Sequence, residues 1–160
     1  MGTCKCSLVR APGRRYRARM SIRLFRVIVP VNDLDATVAF YAALLEAPGF
    51  RVSGGRHYFP CGEVILSLYD PKGDGDASTP HPNFEHLYFA VDDLEAAYRR
   101  AQMVGGLSTK SGDGGLPMGA IATRPWGERS FYLHDPFGNP LCFVDATSVF
   151  TQARTPRPTP

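Results

Sequence analysis

The chain has 160 residues, 44% of them hydrophobic and 21% charged, with a formal net charge of +3. That size suits one compact unit of roughly 130 residues plus tails, and no apolar run is long enough to span a bilayer. The positive charge is local: residues 1–19 hold Lys5, Arg10, Arg14, Arg15, Arg17 and Arg19 and no acid, which leaves the rest of the chain at −3 and argues against a nucleic-acid surface.

Residues 1–20 read as a basic extension that buries little; the functional alternative is a basic arm or an Arg-rich transit-like segment. Met20 opens the run MSIRLFRVIVPV and is a candidate start. No apolar stretch of a signal peptide is visible before it. Cys4 and Cys6 form a lone C-x-C, short of the second pair that a zinc site needs. Cys61 and Cys142 lie in apolar stretches and read as buried small side chains, which suits a reducing cytoplasm. The expectation is a soluble cytoplasmic protein.

A first unit spans residues 21–71. Leu24–Val31 is rich in branched aliphatics and reads as a strand, with Pro30 marking an edge or an end. Asn32 or Asp33 can cap a helix over 33–46, where Leu34, Val38, Tyr41 and Leu44 recur at helical steps. Pro48-Gly49 stops it. Short strands follow at Phe50–Val52, Arg56–Cys61 and Glu63–Tyr69, with turns at Gly54-Gly55 and Cys61-Gly62. Residues 72–84 are a polar linker rich in Gly, Pro and Asp.

The pattern then restarts over 85–148. His86–Val91 reads as a strand and Asp92–Met103 as a helix with Leu94, Ala97, Tyr98 and Ala101 on one face. Leu107–Gly119 is a Gly-rich excursion, a candidate mobile loop. Ile121–Arg124, Arg129–Leu133 and Pro140–Asp145 read as strands, the last two joined by the Asp135-Pro136-Phe137-Gly138-Asn139 hairpin. Residues 149–160 form a loose tail. This is an internal repeat. Val31-Asn32-Asp33-Leu34 recurs as Val91-Asp92-Asp93-Leu94, offset by sixty, and Gly62–Leu66 matches Gly138–Cys142, offset by seventy-six. The predicted fold is α+β: two βαβββ modules forming an open, curved mixed sheet or barrel around one pocket.

Three segments in this order resemble the glyoxalase / bleomycin-resistance / extradiol-dioxygenase (vicinal oxygen chelate) superfamily. They are NDLDATVAFYAALL, HLYFAVDDLEAAYRRA and PWGERSFYLHDPFGNPLCFVD, and the likeness covers about 22–148. The resemblance implies a fold of paired βαβββ modules and, in enzymatic members, a divalent metal held by four side chains, usually His and Glu. Aligned on the motifs, those positions fall on Arg26, Leu66, His86 and Cys142. A guanidinium has no lone pair to offer and Leu66 no donor atom. One His and one Cys fall short of the three protein ligands of a catalytic site. No metal ligands and no cofactor are therefore expected, with a divalent metal as an alternative only if His57, His134 or a shifted strand completes the set.

The candidate ligand-binding residues are Arg26, Tyr58, Leu66, His86, Tyr88, Trp126, Tyr132 and Cys142. Arg26 either pairs with a carboxylate such as Asp145 or Glu63, or anchors a ligand carboxylate or phosphate in bidentate fashion. Phe131, Tyr132 and Trp126 offer flat surface to a planar ligand, or fill core. His86 and Tyr88 are the candidate catalytic pair, and Cys142 is a nucleophile only if a base makes its thiolate. Arg129, Glu128 and Trp126 read as a hairpin ion-pair feature. The leading expectation is a metal-independent small-molecule-binding protein, similar to the drug-sequestering members, with an anionic or aromatic ligand. The alternative is a lyase, isomerase or dioxygenase-like enzyme, metal-dependent or using His86 and Tyr88. The resemblance also implies a homodimer; neither nucleic acid nor membrane is an expected partner.

Overall fold

The computed structural model describes residues 22–150. The expectations for residues 1–20, for Cys4 and Cys6, and for 151–160 of the tail lie outside the described residues. Strand β1 (Arg26–Pro30) leads into helix α1 (Leu34–Leu45). Asp33 caps that helix, its carboxylate accepting from the Ala36 N–H at 3.0 Å, which satisfies one of the donors a helix start leaves orphaned. Glu46 ends it in the left-handed region at φ 53°. Gly49, at φ +59°, then turns the chain where any Cβ would sit 2.5 Å from the Tyr58 carbonyl oxygen, so only glycine fits. Strands β2 (Phe50–Ser53), β3 (Arg56–Cys61) and β4 (Val64–Tyr69) complete the module. The second module repeats the plan with β5 (Leu87–Val91), α2 (Leu94–Val104), β6 (Ala122–Thr123), β7 (Arg129–His134) and β8 (Pro140–Asp145). Asp93 caps α2 through the Ala96 N–H at 2.8 Å, as Asp33 caps α1.

Each module is a four-stranded mixed sheet, ordered β1-β4-β3-β2 and β5-β8-β7-β6, with the first strand parallel to the last. Neither sheet closes into a barrel, and β1 and β5 are both edge strands. Pro30 ends β1 on such an edge, where a missing N–H breaks no ladder. The register corrects one expectation. Val27 lies opposite Leu66, and its counterpart Leu87 lies opposite Leu141, so the fourth strands are offset by seventy-five and not seventy-six. The β3–β4 turn is Gly62-Glu63, whereas β7–β8 is joined by Asp135–Asn139. Matching glycines across turns of unequal length slips the strand by one residue, and a one-residue slip moves every side chain to the opposite face.

The helix-facing sides of both sheets and the two helices share one core. Val29, Phe59, Leu66, Leu68, Phe131, Leu133, Leu141 and Phe143 meet Leu34, Tyr41, Leu44, Leu94 and Ala97 in it. Phe143 stacks between Phe89 and Phe131, with centroids 5.1 and 5.4 Å away. Polar ties also cross between modules. The Tyr41 hydroxyl donates to Asp135 Oδ2 at 3.2 Å, Asn139 Nδ2 donates to the Pro30 carbonyl at 2.8 Å, and Arg100 pairs with Glu46 at 2.9 Å. The β7–β8 hairpin is therefore also a clamp, with Asn139 fully buried. The Gly-rich excursion is not a free loop. Ser108 N donates to Tyr132 O at 3.0 Å, and Tyr132 N donates to Met118 O at 2.9 Å, so the segment laces the flank of β7.

Candidate functional site: the two open sheet faces

Strand alternation leaves each sheet with a face turned away from its helix. In the first module that face carries Arg26, Ile28, Tyr58 and Ser67; in the second it carries His86, Tyr88, Tyr132 and Cys142. The positions correspond pairwise. Most of the predicted site residues thus share these faces, and Leu66 does not: it lies beside Val27 and Phe59 on the helix side, 4% exposed. The residue opposite Tyr58 and Ile28 is Ser67. Phe131 is likewise core, fully buried under Tyr98.

On the first face the Arg26 guanidinium carbon lies 4.7 Å from the Tyr58 ring centroid and 5.1 Å from that of Phe25. Its Nε is buried and has no hydrogen-bond partner, and the same is true of Ser67 Oγ. Neither expected carboxylate pairs with Arg26. Asp145 holds Arg129 at 3.6 Å, and Glu63 makes no ion pair among the described residues. Phe50 packs edge-on against Tyr58 at 5.7 Å and extends the aromatic surface.

On the second face the His86 ring stands edge-on to Tyr132 at 5.0 Å and lies 6.2 Å from Tyr88. Burial, with His134 as a lesser contributor, pushes its pKa below the ordinary 6.5, so the imidazole is neutral at pH 7. Cys142 is fully buried, and burial pushes its thiol up to about 11. It keeps its proton at neutral pH and is no thiolate nucleophile. Burial, then Cys142, drives the Tyr132 hydroxyl pKa well upward. Tyr88 is 59% exposed. Trp126 is half exposed and its indole N–H donates to Glu128 Oε2 at 2.8 Å. With Tyr132 and Met118 it borders a hollow of about 210 Å³, and with Tyr88 and Val144 another of about 320 Å³. Arg129 pairs with Glu95 and Asp145, not with Glu128.

Two features escaped the sequence. Arg124, 5% exposed, lies 4.9 Å over the Tyr132 ring and donates to Ser130 Oγ and to the carbonyls of Ser130, Met118, Ala120 and Pro117. Nothing in the string marks it, because four of its acceptors are backbone. Ser67 was hidden by the register slip. The pocket expected between the modules is there, an apolar cavity of about 590 Å³ bordered by Val27, Leu45, Leu66, Leu87, Tyr88 and Phe89, so Leu66 borders this cavity and not the open face.

The four positions that the resemblance assigns to a metal carry, by register, Arg26, Ser67, His86 and Cys142. Two of these four are poor donors or none, and among the described residues no three His, Cys, Asp or Glu side chains converge. His57 cannot help from this side: it is buried on the helix face against Phe59, with Nε2 2.9 Å from the Pro48 carbonyl oxygen. The donor set does not fit the metal of the enzymatic relatives.

Paired βαβββ modules, each with an open face beside a buried one, define the class of fold. The chain belongs to the Glyoxalase/Bleomycin resistance protein/Dioxygenase superfamily, whose profile matches residues 23–143. Solved structures agree. A bleomycin resistance determinant encoded on the transposon Tn5 is 27% identical, with a TM-score of 0.52, over 78% of this chain and 98% of that one. A bleomycin-binding protein complexed with bleomycin is 26% identical, with a TM-score of 0.51, over the same shares. A lactoylglutathione lyase from Agrobacterium tumefaciens, 22% identical with a TM-score of 0.56 over 77% and 92%, shares the fold. A search of curated protein sequences gave no match.

Proposed function

We propose that this chain is a small-molecule-binding protein that holds a planar aromatic ligand against its open faces without the metal of its enzymatic relatives. The observation that carries this reading is the exposed aromatic platform of Tyr88 and Trp126 flanking buried Tyr132, with hollows on either side of the indole. Exposed aromatics around concave surface suit stacking on a ring system. A relative that binds bleomycin supports a small-molecule ligand. Lone shallow hollows enclose little of a drug-sized molecule, and the outer edges of β1 and β5 pair with no other strand among the described residues. Leu24 and Phe25 before β1 and Ile28 within it are 68, 62 and 48% exposed. A second copy meeting these edges would deepen the hollows, so the functional unit is a homodimer, which sedimentation would check.

Trp126 is the only tryptophan of the chain, so its fluorescence reports on the site directly. Titration with bleomycin and with smaller fused-ring aromatics is expected to quench it saturably and to raise the melting temperature. Saturable turnover of a hemithioacetal or a catechol, dependent on added nickel, zinc or iron, would overturn the binding reading.

One observation favours a second reading. His86 is held neutral beside Tyr88, the state a general base needs. A metal-free lyase or isomerase using that pair predicts turnover abolished by His86→Gln, with binding retained.

A further inference from the structure

We propose that the first-module face holds a carboxylate subsite made by Arg26 and Ser67 over Tyr58. This rests on the small-molecule reading of the open faces and adds the charge and chemical class of the ligand. The geometry is set by three neighbouring strands. Ser67 stands on β4, opposite Ile28 of β1 and Tyr58 of β3. Arg26 starts from β1, and its guanidinium reaches the Tyr58 ring at 4.7 Å, so it crosses above β4 beside Ser67. A permanently charged fork and a hydroxyl therefore converge over one patch of sheet.

Both groups are unsatisfied there. Arg26 Nε and Ser67 Oγ are the two buried side-chain polar atoms without a partner among the described residues. Buried donors are almost always paired, and this chain can pair a guanidinium fully, as Arg124 with its five acceptors demonstrates. The missing partner cannot come from a side chain of the termini: residues 1–21 and 151–160 contain no Asp or Glu. Ring faces hold Arg26 in place without using its N–H groups, so its edge remains free to bind in bidentate fashion.

The complementary ligand group is an anion with two coplanar oxygens. One guanidinium neutralises one charge, and its Nε–Nη edge matches the two oxygens of a carboxylate, with the Ser67 hydroxyl donating to one of them. Ile28, Phe25 and Phe50 surround the spot with apolar surface that is about half or more exposed. The class is an amphipathic carboxylate whose apolar body lies on these rings. A divalent cation is excluded from the same patch by the guanidinium.

The test uses benzoate and benzamide as matched probes on the full chain. In 15N-labelled protein, one arginine Nε–H resonance absent from Arg26→Met is expected to shift saturably with benzoate and not with benzamide. Ser67→Ala is expected to weaken benzoate about tenfold, and Arg26→Lys, which keeps the charge without the fork, by about tenfold or more. Ser67→Ala removes an unpaired hydroxyl, so it keeps the fold and keeps the test valid if Arg26→Met does not. An equal response to both probes, or no response to benzoate, overturns the subsite. Trp126 fluorescence is read in the same titrations with fused-ring aromatics. Quenching there with no Arg26 response sinks the carboxylate subsite alone, whereas silence at Trp126 sinks the aromatic platform.

Discussion

The two open faces are built on equivalent positions, yet they treat their polar groups in opposite ways. Each places a guanidinium over one of the two matched tyrosines, Arg26 of β1 over Tyr58 at 4.7 Å and Arg124, just past β6, over Tyr132 at 4.9 Å. Arg124 spends its donors on Ser130 and on four backbone carbonyls. Arg26 leaves Nε buried and unpaired beside an equally unpaired Ser67. Where Ser67 stands in the first module, the second has Cys142, a thiol that packs as a small apolar group. A satisfied buried cation organises structure, and an unsatisfied one is complementary to something that arrives later.

The largest expected effect tests that division. Arg124→Met strips partners from several carbonyls and from Ser130, and is expected to cost roughly 3–5 kcal/mol, a fall in melting temperature on the order of 10 °C. Arg26→Met should stay within about 1 kcal/mol of the parent or exceed it, because it removes a desolvated charge that lacks an anion. Urea denaturation measures both. Equal losses would erase the distinction between the two arginines.

The next effect concerns how the faces are held relative to each other. Asn139 is fully buried; it donates to Pro30 O of the first module and to Asp135, and accepts from the Asn83 N–H at 2.8 Å. Asn139→Ala is expected to cost about 2–3 kcal/mol by leaving these groups unpaired. Its amide-exchange signature should include faster exchange in β1 as well as in the β7–β8 hairpin. Loss confined to the second module would mean that the clamp does not couple the halves.

Much of the architecture was legible because it rests on local chemistry. Arg56–Cys61 and Pro140–Asp145 fall where alternation and turn residues put them, and Asp33, one of the two caps open to the first helix, caps it, with Asp93 repeating the bond on the second. The repeat announced paired modules. What failed was non-local. Turn length decides register, and the unequal β3–β4 and β7–β8 turns sent Leu66 to the wrong face and hid Ser67. Arg124 is invisible because backbone carbonyls carry no sequence signature. The lacing of Leu107–Gly119 onto β7 also depends on main-chain bonds that composition does not specify. The candidate site was half legible: Arg26 and His86 follow from the sixty-residue repeat, but the absence of a carboxylate beside Arg26 could only be seen in three dimensions.

A smaller pair of effects should separate the faces at their matched position. Ser67→Ala deletes an unpaired buried hydroxyl and is expected to leave stability unchanged or raise it by up to about 1 kcal/mol. Cys142→Ser installs a more polar group in a fully buried site and is expected to cost about 1–2 kcal/mol. Opposite signs from the two substitutions would sharpen the contrast, and like signs would blunt it.

The smallest effect is the pH dependence at the position where Arg26 has His86 as its counterpart. At His86, burial holds the folded imidazole below the ordinary 6.5. Between those two pKa values the unfolded chain binds a proton that the folded chain refuses. Stability contributed by neutral His86 is therefore full above pH 6.5 and declines as pH falls toward the folded pKa. His86→Gln should flatten that part of the stability curve, whereas Arg26→Gln should leave its slope unchanged. Because His86 is only partly buried, the slope it contributes is shallow, and the difference between the two variants, measured by urea titration from pH 7.5 to 5, isolates it from the other histidines. A His86→Gln curve parallel to the parent would mean that the imidazole is solvated in the folded state, and the neutral base beside Tyr88 would go with it.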